Sequence, residues 1–529
     1  MYKLIIAVLF INFTAQAQSP VTITIHPDQT VQQIRNIGTS GCWFTEEIGA
    51  TWPEKDKTRI AELLFSKELD NTGKPKGIGL SAFRYNIGAG TAEQGENSGI
   101  SLPAHRVECF LSPDGTYDWN KQKGYTWMLQ QAKNYGVQDL IAFVNSPPVQ
   151  FTKTGLGYKL VKDSLANLQE HKYQAFTDFL ANVMKAFDKK NLHFNYISAI
   201  NEPQWDWSGV KGQAKQEGSP FTNEEIFKVT TALNKSLNAQ KLTTKMLLPE
   251  AGMLDYLYGG NLHNRSRQIE QFWDPASPYY VGKLNHSTKY VEGHGYFTDN
   301  GNAQLIKTRT KVKEALKKYK GLEYWQSEYS MLGNGFRDGK PGRLSQIDFA
   351  LFLAKIIHQD FTAGNASAWH FWNAYEPGST ESPRYYLIAL NPRRETNRDT
   401  LYGVTKNLWA LGHYSLFVRP GMYRVETGTS DNLPDTVAAK NLMISAFKEA
   451  SGKKLVINII NYISEEKSAE IILDGSATKQ TYNIQSFRTS GTNGDDMKPY
   501  PVNQDGPSNK IQISLPPRSI TTYVYSQSR

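Results

Sequence analysis

Short apolar runs recur along the first three-quarters of the chain, each ending in a polar loop and followed by an amphipathic stretch. Eight of them read as strands: QIRNIGTS (33–40), IGLSAFRYNIG (78–88), DLIAFVNS (139–146), FNYISAINE (194–202), KMLLPEAG (245–252), KYVEGHGYF (289–297), LEYWQSEYS (322–330) and ASAWHFWNA (366–374). Between most of them the apolar positions fall at the three-to-four spacing of a helix, over 53–69, 125–136, 172–190, 223–237, 303–319 and 345–361. Pro53 is expected at the first position of its helix and Gly136 at the C-cap of the next. Strands alternating with helices predict a parallel sheet, and eight such units predict an α/β fold, a (β/α)8 TIM barrel spanning 33–425.

Beyond about residue 425 the helical spacing fades. KKLVINIINY (453–462) and AEIILDG (469–475) alternate with period two, and 488–510 is expected to be a long polar loop. This texture predicts a small β-sandwich over 426–529. VTITIHP (21–27) alternates in the same way, so the N-terminal segment 18–32 is expected to add a strand to that sandwich. The two chain ends would then form one side β-domain.

Residues 1–17 have the form of a signal peptide: Lys3, an apolar stretch Leu4–Phe13, and Ala15-Gln16-Ala17 as cleavage site. The apolar stretch is too short to span a bilayer, which takes roughly 18 residues or more. The expectation is an exported, periplasmic or extracellular protein without membrane insertion; an uncleaved anchor is the alternative. Aromatic residues make up 12% of the chain, with 11 Trp and 28 Tyr, which suits either a stacking surface or simply a large core. The formal charge of +9 comes without any dense Lys/Arg block. A nucleic-acid role is therefore disfavoured, and the charge reads as a solvated surface. The two cysteines, Cys42 and Cys109, do not make a disulfide scaffold; they are a single bond or two buried thiols. A monomer is expected.

In a barrel the reacting groups come from the carboxyl ends of the strands. Those ends carry Arg84, Asn86, Asn145, Asn201-Glu202, Glu250, Glu292, His294, Tyr296, Glu328 and Trp369. Asn201-Glu202-Pro203 is a strange way to end a strand, because Asn and Glu are poor strand formers and Pro cannot donate to a ladder. The set lacks the Cys/His cluster of a zinc site and a lysine for Schiff-base chemistry, so neither metal nor cofactor is expected. The Gly-rich IGAGTAEQG (87–95) lacks the spacing of a phosphate loop. Two carboxyl groups facing each other across the mouth suit hydrolysis of a glycosidic bond. On residue type alone, Glu250 and Glu292 rival Glu328 for the second carboxyl.

Five stretches narrow the reading: FRYNIGAG, NSPPVQFTKTG, SAINEPQW, GHGYF and WQSEYS, in that order and at barrel spacing. With KNLWALGHYSLFVRPGMYRV (406–425) leading into the side domain, the chain resembles glycoside hydrolase family 30 of clan A. The resemblance implies Glu202 as general acid/base and Glu328 as nucleophile, about 5–5.5 Å apart as in a retaining enzyme. It implies that Asn201 bonds the sugar 2-hydroxyl and that Arg84 and Tyr296 bond Glu328 and keep it ionised. Trp205 and Trp369 would offer flat faces to a pyranose, with Asn145 and His294 completing the substrate-binding set. Packing roles for Tyr296, His294 and Trp369 stand beside these. GCWFTE and RYNIGAG look most like the endo-β-1,6-galactanase branch, so the implied substrate is a polysaccharide such as arabinogalactan. Alternatives are another family 30 β-glycanase or exo-β-glycosidase (β-1,6-glucanase, xylanase, β-fucosidase or β-xylosidase) and a non-catalytic glycan-binding protein. Loops 89–120 and 203–222 are expected to shape the subsites.

Overall fold

A computed structural model describes residues 20–391, 401–503 and 506–528; the expected signal peptide, residues 1–17, lies outside the described residues. After an N-terminal strand β1 (Val21–Gln33) come eight parallel strands that close on themselves in sequence order. They are β2 (Asn36–Ser40), β3 (Ala82–Asn86), β4 (Asp139–Phe143), β5 (Tyr196–Ser198), β6 (Lys245–Ala251), β7 (Ser287–His294), β8 (Glu323–Tyr329) and β9 (Ala366–Phe371). Closure is made by β2 against β9, with Asn36 opposite Ala368 and Thr39 opposite Phe371. The fold is the (β/α)8 barrel that the alternating pattern predicts.

The amphipathic stretches form helices Glu54–Phe65, Lys123–Asn134, Tyr173–Lys189, Asn223–Ala239, Asn302–Leu316 and Gln346–Thr362. Pro53 is the N-cap of the first rather than its first helical residue, with ψ of 139°. Gly136 sits one position beyond the C-cap Tyr135, in the left-handed region at φ 76° that a side chain would disfavour. Between β6 and β7 the connection carries only short helices such as Gln268–Trp273. Beyond β9 the chain makes a small sheet before the helix Lys406–Ser415: β10 (Tyr375–Pro377), β11 (Ile388–Leu390) and β12 (Tyr402–Val404).

The barrel interior is filled, not hollow. Ala82, Ile141, Leu247, Trp325 and Ala368 form one buried cluster, and Tyr290 stacks on Trp325 at 4.5 Å. Everything polar at the strand ends therefore stands on a solid apolar floor.

The side domain is a nine-stranded sheet that curls on itself. It adds β13 (Tyr423–Thr429), β14 (Leu442–Lys448), β15 (Lys454–Asn461), β16 (Lys467–Leu473), β17 (Tyr482–Ser490), β18 (Lys498–Tyr500), β19 (Lys510–Leu515) and β20 (Ser519–Gln527) to β1. As the alternation of VTITIHP predicts, β1 joins this sheet, antiparallel to β13 and parallel to β16. Ile23 and Ile25 turn inward with Ile444, Ile457 and Ile471 into the core that the curl encloses. The opposite face sends Phe447, Val456, Phe487 and Ile520 into the barrel's main core. The stretch 488–510 is not one loop, because β17 runs on to Ser490 and Lys498 of β18 pairs with Arg488.

Candidate active site

Register irregularities in β6 and β8 build the mouth. On β8, Gln326 pairs with Gly293 and Glu328 with His294, so Ser327 is an extra residue against β7. The same excess appears against β9, where Gln326 pairs with Trp369 and Tyr329 with Phe371. A bulge of this kind lets two successive side chains serve one side of the sheet. Ser327 and Glu328 both use it: each hydrogen-bonds a group at the barrel mouth. On β6 an extra residue falls between Leu248 and Ala251, and Glu250 has a left-handed φ of 51°.

Glu202 also sits in the left-handed region, at φ 46°. Its N–H donates to Glu250 O at 3.0 Å, and its carbonyl accepts from Trp205 N at 3.3 Å and Trp207 Nε1 at 3.0 Å. Strained backbone held by this many partners is typical of functional positions. The odd ending of the fourth strand run, just after β5, thus aims a carboxylate at the mouth.

Four acidic residues, one histidine and one arginine meet there, all buried. Arg84 Nη1 donates to Glu328 Oε2 at 2.7 Å and Arg84 Nη2 to Glu250 Oε1 at 2.8 Å. Tyr296 donates its hydroxyl to Glu328 Oε1 at 2.8 Å. His294 lies between carboxylates, Nδ1 3.0 Å from Glu202 Oε1 and Nε2 3.0 Å from Glu250 Oε2. Its Nδ1 is also 3.5 Å from Glu328 Oε1. One carboxylate oxygen of Glu202 and one of Glu328 lie within 4.8 Å of each other.

The charges settle as follows. Burial opposes a charged His294, but the surrounding Glu328, Glu202 and Glu250 carboxylates raise it to about 10, so the ring is an imidazolium. Burial likewise opposes the Glu250 anion, yet Arg84 and His294 hold that carboxyl well below the usual range. Glu292, deeper in the barrel, is pushed far up by burial and by the Glu250 anion, and accepts a hydrogen bond from Ser198. It is a neutral acid. For Glu328, burial wins over the pull of His294 and Arg84, and the carboxyl lies above its ordinary value. Arg84 and His294 offset the desolvation of this carboxyl without overcoming it.

The amides form a chain beside this cluster. Asn201 Nδ2 donates to Asn145 Oδ1 at 3.1 Å, and Asn145 Nδ2 approaches Asn86 Oδ1 at 3.4 Å. Among the described residues, Asn201 Oδ1 and Asn86 Nδ2 are buried with no protein partner. Buried polar atoms in that state suit a ligand hydroxyl. Trp205 is half-buried on the rim, edge-on to Tyr256 and Phe297. A Cβ on Gly252 would stand 2.7 Å from Trp205 Nε1, so glycine is what lets that indole settle.

Trp369 does not reach the mouth. It is fully buried, its Nε1 donates to Asp360 Oδ2 at 2.9 Å, and it lies near Phe371 and Tyr329. The reason is strand phase. Ala368 of β9 fills the barrel interior, so Trp369 points outward to the helix layer. Trp372, in phase with Ala368, packs instead against Trp43 at 5.2 Å and Phe143 at 6.3 Å. Phe143 in turn lies under the Arg84 guanidinium at 4.4 Å. Period two puts Trp369 and Trp372 on opposite faces, but which face meets the mouth is set by the register of β9 against β8. Ser327 escaped sequence reasoning because a bulge leaves no mark in the period.

The loops that follow β3 and β5 are pinned together by Glu217, whose carboxylate accepts Ala89 N–H at 3.2 Å and Thr91 Oγ1 at 2.6 Å. Burial pushes this carboxyl up to about 8.

Glu202, His294 and Glu328 have the spacing of a metal site. The donor set argues against one. An imidazolium has no lone pair to give, and both ring nitrogens already face carboxylates.

The model of O-glycosyl hydrolase family 30 matches residues 20–382. The chain belongs to that family. It is an O-glycoside hydrolase, and the reading as a non-catalytic glycan-binding protein is set aside. An endo-β-1,6-galactanase of Hypocrea rufa is 24% identical over 505 residues, covering 91% of this chain and 87% of its own. The solved structure of a conserved exported protein from Bacteroides fragilis matches with a TM-score of 0.85 and 31% identity, over 95% of this chain and 100% of that one. The catalytic domain of a family 30 xylanase C from Talaromyces cellulolyticus shares the fold, with a TM-score of 0.67 and 19% identity over 96% and 100% of the two chains. Among the described residues no helix is long and apolar enough to cross a membrane.

Proposed function

We propose that this hydrolase is a retaining endo-β-1,6-galactanase, exported after loss of residues 1–17 and acting on galactan side chains of arabinogalactan. The observation that carries the mechanism is the approach of Glu202 and Glu328 to within 4.8 Å, oxygen to oxygen. Inverting pairs stand about 6.5–9.5 Å apart to admit a water. Here Glu328 attacks the anomeric carbon while Glu202 gives its proton to the departing glycosidic oxygen. The glycosyl-enzyme is then opened by a water that Glu202 deprotonates, and the β configuration is kept. Arg84 and Tyr296 fix the orientation of the Glu328 carboxylate. Asn201 offers its buried amide to the 2-hydroxyl, beside Asn145. Trp372 takes the platform role expected of Trp369, with Trp205 on the opposite rim.

The galactanase reading is supported by the Hypocrea rufa relative, whose match runs through both the barrel and the side domain. Export is supported by the exported Bacteroides fragilis protein. The test is a panel of β-linked glycans with products separated by size. De-arabinosylated arabinogalactan should yield a ladder of β-1,6-galacto-oligosaccharides whose first-formed reducing ends are β by proton NMR. Cleavage of β-1,6-glucan or xylan with galactan untouched overturns the substrate; an α anomer at early time overturns the mechanism.

A further inference from the structure

Glu250 has contacts that the roles above leave unused. It is fully buried on β6, and its two oxygens take three donors: Arg84 Nη2 at 2.8 Å, Ser327 Oγ at 2.6 Å and His294 Nε2 at 3.0 Å. The other nitrogen of His294 faces Glu202 at 3.0 Å. Glu250, His294 and Glu202 therefore stand in line, two carboxylates bridged by one ring. The charged and titratable groups around that ring come from every neighbouring strand. Glu202 follows β5, Glu250 lies on β6 and Glu328 on β8. Tyr296 meets the ring edge-on at 5.6 Å, Arg84 of β3 pairs with both Glu250 and Glu328, and Glu292 lies two residues earlier on β7.

We infer that Glu250 is a positioning residue for glycoside hydrolysis: it anchors His294 as a doubly protonated donor aimed at Glu202. The inference rests on the reading of Glu202 as the acid/base. In the first step the Glu202 proton passes to the leaving oxygen, the C1–O bond breaks and the Glu328–C1 bond forms. Glu202 is then an anion in a buried site, and the His294 Nδ1–H is already in place to donate to it. In the second step Glu202 accepts a proton from water. His294 keeps both of its protons throughout, so nothing is transferred through it. Ser327, the residue inserted by the β8 bulge, holds Glu250 in register for this task.

The test is E250Q in the full chain. The side-chain amide nitrogen would oppose the Nε2–H, so the ring should shed a proton. With histidine labelled in nitrogen-15, His294 of the wild type should be doubly protonated at pH 8, and in E250Q it should be neutral. Turnover should fall about 10²-fold with KM little changed. The loss in kcat/KM should deepen as pH rises, since one of the anions that keep His294 charged is gone. E250D should recover part of both effects, which separates positioning from a folding defect. A doubly protonated His294 in E250Q, or a loss equal at every pH, overturns the inference. E202A tests the underlying reading on its own: without azide rescue the acid/base assignment fails, whatever the histidine spectrum shows. With rescue, E202A/E250Q should be little worse than E202A; additive losses overturn the inference.

Discussion

At the scale of single residues, the site separates side chains that react from side chains that only look as if they should. E202A should slow turnover about 10²–10⁴-fold and recover with azide on an activated substrate, giving a β-glycosyl azide. E328A should be nearly inactive, with any azide product in the α configuration. The two tryptophans give a sharper contrast. Because Trp369 is buried against Asp360 and the helix layer, W369A should lower stability by about 3–5 kcal/mol in chemical denaturation and leave KM nearly unchanged. W372A should also lower stability, because Trp372 packs on Trp43 and Phe143, but it alone should raise KM, about tenfold. Equal effects of the two on KM would mean that strand phase does not decide which indole meets the sugar. His294 adds a pH dependence of stability. Its folded value of about 10 lies above the unfolded value of about 6.5. Its contribution is fully present below the lower value and is lost as pH rises through the upper one. The stability difference between wild type and H294Q should shrink from pH 6 to pH 10, measured by denaturant unfolding.

At the scale of elements, the decisive feature is the β8 bulge. Deleting Ser327 would leave a regular strand in which Glu328 takes the inserted residue's place and the donor to Glu250 is lost. The variant should keep the far-UV circular dichroism of the barrel and lose hydrolysis almost entirely; retained activity would show that the extra residue does not set the geometry. This is also where reading from sequence stops. The six long helices were legible because amphipathic spacing survives any tertiary context, and the eight strand runs because their ends carry turn chemistry. Arg84, Asn201, Glu202 and Glu328 were legible because barrel topology says which end of each run matters. Ser327 was not, nor was the phase of Trp369 against Trp372, because both depend on which way a side chain faces after a local change of register. The sheet β10–β12 carried no strong alternation in its three-residue strands, and so went unseen.

At the scale of the whole molecule, the two ends of the chain are bound into one sheet. Strand β1 lies between β13 and β16, and it leads into β2 at Asn36 with only two residues between. We propose the division 18–32 with 426–529 as side domain and 33–425 as catalytic barrel. Removing residues from 426 onward would delete β14 through β20 and most of β13. Ile23 and Ile25, now fully buried, would then face water on a bare strand edge, each losing about 1.5–3 kcal/mol of burial. The barrel would also lose Phe447, Val456, Phe487 and Ile520, which pack into its main core. An unpaired, apolar edge joined to a partly uncovered core is a template for aggregation. The truncated chain should therefore be insoluble, while a second truncation that also removes residues 18–32 should recover some soluble protein of low stability. Size-exclusion chromatography with thermal unfolding reads both. A soluble, active barrel after the first truncation alone would show that the barrel folds without its side sheet, and that pairing of the chain ends serves something other than stability.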